Sequence, residues 1–225
     1  MTRRAVDHTA TNTQSASEAL FIHKHMKKSI VLGLLVTLFC SFLPGLEELE
    51  IGETAPMTDR MMKDISGSEL SLSDAAGENG LLVIFSCNTC PFVIGWEDRY
   101  PELAARTAAH SMGMVLVNSN TKKRGNEDSM EAMAAHAAEK GYDCAYVIDQ
   151  QNQLADAFGA RTTPHVFLFD AEMKLIYKGS IDDQYENKDR VATRFYLNDA
   201  IEAAARNEKP DPAETRQIGC SIKRG

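Results

Sequence analysis

The sequence has few aromatic residues, few prolines, and fewer basic than acidic side chains. One tryptophan, seven prolines and fourteen glycines among 225 residues are too few for a collagen-like or low-complexity chain. The 44% apolar content is too high for a largely disordered chain, so one compact domain with tails is expected. A formal charge of −8 argues against broad electrostatic binding to nucleic acid or anionic lipid. The sequence also contains no P-loop, dinucleotide-binding fingerprint or Ser/His/Asp arrangement.

Long apolar runs are scarce as well. One run, Ile30 to Leu43, follows the basic Met26-Lys27-Lys28 and ends at Pro44-Gly45. A spanning helix usually needs about 17 to 25 apolar residues, and this run is shorter. Residues 26–45 are therefore predicted to be a secretory signal peptide, with no permanent membrane span. A retained anchor or a buried core helix is the alternative interpretation.

The polar residues 1–25 before this segment are unusual for a signal sequence. We interpret them as a mis-called start, with translation beginning at Met26. The expected location is therefore the periplasm or cell envelope, where disulfides can persist. Removal of residues 1–45 leaves four of the five cysteines and a net charge of −11.

The remaining chain alternates between strand and helix patterns. Residues 46–206 are predicted to form one α/β domain, followed by a C-terminal tail over residues 207–225. Two apolar runs, Leu81–Ser86 and Met114–Asn118, have the length of buried strands. The predicted helices are Pro91–Ala109, Ser129–Lys140, Gln153–Phe158 and Arg194–Arg206. The pattern predicts a central mixed β-sheet flanked by helices on both faces, with an N-terminal β-hairpin extension over residues 57–72.

A Cys-x-x-Cys motif lies where the first buried strand meets the long predicted helix. Cys87 and Cys90 are separated by Asn88-Thr89 and followed by Pro91. The unsatisfied N–H groups and the dipole of a helix N-terminus favour thiolate over thiol. The i, i+3 spacing brings the two sulfurs within disulfide reach. This pattern predicts thiol–disulfide exchange.

Two other interpretations of the motif remain open. A Cys-x-x-Cys can supply half of a zinc site, but the sequence has no second pair to complete one. The two cysteines can also be ordinary core thiols, because free cysteine is often buried.

At these residues the chain resembles the thioredoxin superfamily, and most of all the bacterial thioredoxin-like proteins grouped with the peroxiredoxin and thiol-specific antioxidant families. The resemblance implies a thioredoxin-like fold from about Ile51 to Lys223. The matching stretches are CNTCPFVIGWEDRYPELA, VNSN, EDSMEAMAAHAAEKGY, FGARTTPHVFLFDAEMKLIYKG and the terminal GCSIK.

The resemblance also implies roles for particular residues. Cys87 would be the exposed nucleophile and Cys90 the resolving thiol. Thr163-Pro164 matches the family's cis-proline site, where the backbone of Thr163 can pair with an extended substrate. Thioredoxin carries a buried acid six residues before its first cysteine. Leu81 stands there in this chain, so proton transfer needs another group or water.

Three further residues are candidates for accessory groups. Cys144 is expected to be buried. Cys220 is expected to be a thiol in a mobile tail, although it is also a candidate accessory thiol that resolves a disulfide at the active site. His165 is expected on a strand, facing solvent. If it approached Cys87 and Cys90 instead, the three would offer a soft Cu(I) site.

These observations predict an exported thiol–disulfide oxidoreductase that needs no cofactor or resident metal. Its partners would be protein thiols or disulfides and a redox-recycling protein. One alternative is a peroxiredoxin-like thiol peroxidase in which Cys90 takes the peroxidatic position and Cys87 or Cys220 resolves. The other is a Cu(I) metallochaperone of thioredoxin fold.

Overall fold

A computed structural model describes residues 47–225 of the chain. Nine strands and six α-helices alternate along this part. The strands are β1 (Met62–Asp64), β2 (Glu69–Leu70), β3 (Leu81–Ser86), β4 (Gly113–Asn118), β5 (Ala145–Ile148), β6 (Thr162–Thr163), β7 (His165–Phe169), β8 (Leu175–Gly179) and β9 (Cys220–Ser221). The helices are α1 (Leu72–Ala75), α2 (Pro91–Ile94), α3 (Tyr100–Ala109), α4 (Met130–Lys140), α5 (Gln153–Ala157) and α6 (Tyr196–Ala205).

Seven strands form one mixed sheet in the order β2-β1-β5-β4-β3-β7-β8. Strands β3, β4 and β5 are parallel, while β7 and β8 add an antiparallel hairpin on one side. The β1–β2 hairpin pairs antiparallel with β5 at the other side. The predicted mixed sheet and its N-terminal hairpin are therefore confirmed. Strands β6 and β9 form a separate two-stranded sheet.

The central strands are covered on both faces, as their continuous apolar sequences predict. All six residues of β3 are buried, and successive side chains enter opposite cores. Leu82 and Ile84 pack with α3, α4 and α6. Leu81, Val83 and Phe85 pack on the other face with α1 and α5. The cysteine motif thus follows a strand that is held firmly from both sides.

The helix predicted over Pro91–Ala109 is interrupted. The short helix α2 ends at Gly95, a 3₁₀ turn spans Glu97–Arg99, and α3 begins beside Pro101. Proline has no N–H to donate, and its ring clashes with the carbonyl of the preceding turn, so a continuous α-helix through Pro101 is disfavoured. The prediction of one long helix was wrong for this reason.

Helix α4 begins and ends as its sequence predicts. The Ser129 hydroxyl accepts a hydrogen bond from the Ala132 N–H at 3.2 Å, and Gly141 ends the helix with φ 67°. Within residues 47–225, no helix is long and apolar enough to cross a membrane. The predicted signal peptide and polar leader lie outside the described residues.

Candidate active site

The Cys-x-x-Cys motif bridges the end of β3 and the start of α2, as predicted. Cys90 is the N-cap residue of α2, and Pro91 occupies its first turn. Both cysteines are buried: Cys87 is 2% exposed and Cys90 is 5% exposed. The expectation that the Cys87 sulfur is exposed was therefore wrong, whereas its role as the nucleophile stays a prediction. The two sulfurs instead line a small cleft of about 240 Å³ together with Thr163 and Cys220.

The Thr163-Pro164 segment lies directly against both sulfurs. Its peptide bond is cis, as the resemblance implied. The Cys87 sulfur is 3.4 Å from the Thr163 hydroxyl, and the Cys90 sulfur is 3.1 Å from the Thr163 carbonyl oxygen. The two thiols and this loop, 73 residues or more apart in sequence, therefore form one site.

The two thiols differ in their electrostatic surroundings. The pKa of Cys90 is lowered, first because the Cys87 thiol donates to its sulfur, and further because the Cys220 thiol and the backbone N–H groups of Val93 and Cys220 contribute. The pKa of Cys87 is raised by that same hydrogen bond, by burial and by the negative charge of Asp128. In this arrangement the Cys87 thiol is the donor of the hydrogen bond between the two sulfurs and Cys90 is its acceptor.

Asn88, between the two cysteines, is held by three hydrogen bonds. Its backbone N–H donates to the Asp128 carboxylate at 2.9 Å, and its side-chain amide donates to the Glu127 carbonyl at 2.7 Å. The Tyr146 hydroxyl donates to its side-chain oxygen at 3.0 Å. The loop between the cysteines is thus held by the segment that precedes α4 and by Tyr146 of β5.

Asp128 is the buried acid of this site, and no sequence pattern predicted it. It is fully buried and accepts hydrogen bonds from the side-chain amides of Asn118 at 2.9 Å and Asn120 at 3.1 Å. Leu81 is confirmed to lie in the core instead, where no charge is available. The only sequence signal for Asp128 was its place in the stretch EDSM, one residue before the cap of α4.

Cys220 is also part of the site. Cys220 and Ser221 form β9, and Cys220 pairs antiparallel with Thr163 of β6. Its thiol contacts the Cys90 sulfur, and its pKa is raised to about 11 by burial and by that neighbour. The expectation that Cys220 is a solvated tail thiol was wrong, because β9 ties this part of the chain to the active-site loop.

His165 lies on the opposite face of the sheet from the cysteines. It is fully buried, contacts the Phe167 ring with centroids 4.4 Å apart, and lies 3.5 Å from Glu48. The expectation of a solvent-facing histidine was wrong, and His165 cannot join Cys87 and Cys90 in a Cu(I) site. No group of three or more His, Cys, Asp or Glu residues suited to a metal ion occurs among residues 47–225.

Cys144 and the basic segment 122–124 have structural surroundings of their own. Cys144 is half-buried, and burial raises its pKa to about 12. Arg124 donates to the carbonyl groups of Asn118 at 2.7 Å and Asp128 at 2.8 Å, so it supports the loop that carries the buried acid. Lys123 lies at the rim of the active-site cleft.

Comparisons with known proteins agree with this fold. The model of the AhpC/TSA family matches residues 51–178. A hypothetical protein from Sinorhizobium meliloti 1021 is 29% identical, with a TM-score of 0.73 over 80% of this chain and 97% of that one. An uncharacterized conserved protein from Geobacillus kaustophilus is also 29% identical, with a TM-score of 0.74 over 80% and 94%. Comparison with curated proteins gives no match.

A more distant structure shares the fold alone. A peroxidoxin from Mycobacterium tuberculosis is 17% identical, with a TM-score of 0.51 over 71% of this chain and 98% of that one. The mixed sheet, the cysteine pair after β3 and the cis-proline loop define a thioredoxin-like redox protein. The family match covers more than half of the sequence, and the chain belongs to the AhpC/TSA family.

Proposed function

We propose that the protein is an exported thiol–disulfide oxidoreductase that works through Cys87 and Cys90. The observation that carries this proposal is the pair of thiols in one cleft, both within 3.4 Å of Thr163 beside the cis-proline bond. Membership of the AhpC/TSA family supports the redox class. Protein thiols or disulfides are the proposed substrates, and a separate dithiol protein is the proposed recycling partner.

The reaction follows from the different acidities of the two thiols. The Cys90 thiolate attacks one sulfur of a substrate disulfide, forming a mixed disulfide and releasing the other sulfur as a thiolate. That leaving thiolate takes up the proton of Cys87. Cys87 then attacks the Cys90 sulfur, closes the internal disulfide and releases the second substrate thiolate. Two electrons pass from the pair to the substrate, and the recycling partner returns them.

A redox titration tests this proposal. The protein is equilibrated in buffers of defined thiol/disulfide ratio, and the Cys87–Cys90 linkage is quantified after acid quenching. We expect a single two-electron transition, with a tenfold change in equilibrium for about every 30 mV. Cys87→Ser should abolish the transition, whereas Cys144→Ser should leave it unchanged. Absence of a Cys87–Cys90 disulfide at every ratio would refute the proposal.

A thiol peroxidase is the second candidate, and the acidity of Cys90 favours it. In the peroxiredoxin pattern the peroxidatic cysteine corresponds to Cys90, and Cys90 is the thiol whose pKa is lowered here. Stopped-flow oxidation by hydrogen peroxide distinguishes the two candidates. A rate constant far above that of a free thiol would support the peroxidase, and one no faster than a free thiol would remove it.

The exported location rests on the sequence of residues 26–45. N-terminal sequencing of the native product tests it, together with the start at Met26. We expect the mature chain to begin near residue 46. A native product that retains residues 1–23 would contradict both the start and the export proposal.

A further inference from the structure

The C-terminal strand β9 is built into the active site. Thr163 pairs with Cys220 across the β6–β9 ladder. Beyond the strand, the Lys223 N–H donates to the Asn120 side chain at 2.8 Å, and Ile222 is only 5% exposed in the core. The ladder and the two anchors beyond it therefore hold Cys220 at a defined place in the cleft.

Strand β9 occupies the edge that the family resemblance assigned to substrate. The backbone of Thr163 was expected to pair with an extended peptide, and in this structure it pairs with the chain's own Cys220. Gly219 passes so close that a Cβ atom there would lie 2.4 Å from the Thr163 carbonyl oxygen. The tail thus takes the position of a bound substrate strand and brings a thiol with it.

The Cys220 thiol lines the same cleft as both motif cysteines, and Cys90 is its hydrogen-bonding neighbour. That thiol contacts Cys90, and the Cys220 backbone N–H also points to the Cys90 sulfur. The Cys87 sulfur lies 3.4 Å from the Thr163 hydroxyl. The Cys90 sulfur lies 3.1 Å from the carbonyl oxygen of Thr163, the residue that pairs with Cys220, so both Cys87 and Cys220 are placed to form a disulfide with it.

We propose that Cys220 is a third redox thiol, which exchanges with the active-site disulfide at the sulfur of Cys90. The inference rests on the proposed function of the Cys87–Cys90 pair. In the step, the Cys220 thiolate attacks the Cys90 sulfur, the Cys90–Cys220 bond forms and the Cys87–Cys90 bond breaks. Cys87 leaves as a thiolate and takes up the proton that Cys220 lost. The exchange is redox-neutral and moves the disulfide onto β9.

The exchange changes which disulfide is accessible to the recycling partner. While β9 is paired with β6, an extended peptide cannot use the Thr163 edge without displacing the strand. Cys220 is half-buried, whereas Cys87 is buried. A Cys90–Cys220 disulfide is therefore more accessible than a Cys87–Cys90 disulfide. The tail thereby acts as a tethered substrate that carries the disulfide toward the surface.

Oxidation of Cys87→Ser by a small thiol-specific oxidant such as diamide tests the inference. We expect a Cys90–Cys220 disulfide in most molecules, identified by non-reducing peptide mapping after acid quenching. The matched control is Cys87→Ser combined with Cys144→Ser, which removes a half-buried thiol away from the cleft and should give the same linkage. Recovery of Cys220 as a free, alkylatable thiol beside a small-molecule adduct on Cys90 would overturn the inference.

Two further measurements distinguish a failure of this inference from a failure of the proposed function on which it rests. Cys220→Ser should still form the Cys87–Cys90 disulfide, and its failure to do so would refute the proposed function instead. In the oxidised wild-type protein both linkages should appear at equilibrium, so the inference can be tested even if Cys87→Ser does not fold. Wild-type protein that contains only the Cys87–Cys90 linkage would contradict the proposal that Cys220 is a third redox thiol.

Discussion

At the residue scale, the two cysteines of the motif differ because of what surrounds each sulfur. Cys90 receives donors from two thiols and from backbone N–H groups. Cys87 is more buried and lies close enough to the Asp128 carboxylate for its charge to raise the Cys87 pKa. These surroundings predict that the second cysteine of the motif is the stronger acid, the reverse of the order that the family resemblance implied.

We predict that Cys90 accounts for the low-pH thiolate of the reduced protein. Because its pKa is lowered, the thiolate should persist well below pH 8.5, the ordinary value of a cysteine, and disappear only under acidic conditions. Absorbance at 240 nm during a pH titration measures it.

Serine variants of single cysteines assign the low-pH step to one thiol. Cys90→Ser should remove the low-pH step. Cys144→Ser should not, because burial raises the pKa of Cys144 to about 12. A low-pH step that survives in Cys90→Ser and is lost in Cys87→Ser would reverse the assignment.

At the element scale, the β6–β9 pair joins the tail to the active-site loop. This pair contains two residues on each side, and its register places Thr163 opposite Cys220. The close approach depends on Gly219, which has no side chain to separate the two backbones. The pairing of these two short strands therefore decides whether Cys220 reaches the Cys90 sulfur.

We predict that Gly219→Ala weakens this pair without affecting the Cys87–Cys90 disulfide. A methyl group 2.4 Å from the Thr163 carbonyl oxygen forces the strands apart. A packing conflict of this kind costs about 1 to 3 kcal/mol, which corresponds to a decrease of roughly 5- to 150-fold in the paired state. The yield of the Cys90–Cys220 disulfide should fall accordingly.

Peptide mapping of the oxidised variant measures this yield. Gly125→Ala is the matched control, because a Cβ atom there has no neighbour within 4 Å. An unchanged yield in Gly219→Ala would mean that the β6–β9 pair does not control the contact between the two thiols.

At the scale of the whole molecule, the sheet separates two hydrophobic cores that have different roles. One core lies under the cysteine motif and includes both of its cysteines. The other contains an aromatic cluster in which Phe158 makes edge contacts with Phe85, Phe167 and Phe169, at centroid distances of 5.4, 5.2 and 5.7 Å. The second core stabilises the sheet and does not contact the reacting sulfurs.

We predict that Phe158→Ala lowers the free energy of unfolding by about 3 to 5 kcal/mol, because it removes a fully buried ring and leaves a cavity. Urea denaturation measures this loss. The redox equilibrium of the Cys87–Cys90 pair should stay within twofold of wild type, measured where the variant is folded. A larger change in that equilibrium would show that the two cores are coupled.

Local sequence patterns specify the features that depend on neighbouring residues. The apolar run Leu81–Ser86, the caps of α4 and the position of the cysteine pair at a strand–helix junction follow from local patterns of burial and hydrogen bonding. The thioredoxin-like fold and the loop with the cis bond at Pro164 followed from the family resemblance, and the structure agrees.

The groups that surround the cysteines are set by contacts between distant segments of the chain. Asp128 reaches the motif from a loop 40 residues further along the chain, and Cys220 reaches Cys90 through a strand 57 residues beyond Thr163. His165 was placed with Phe167, on the face opposite the cysteines, by the register of β7. A sequence pattern reports the periodicity of one segment, whereas the acidity and the partners of a thiol depend on contacts between segments that are distant in sequence.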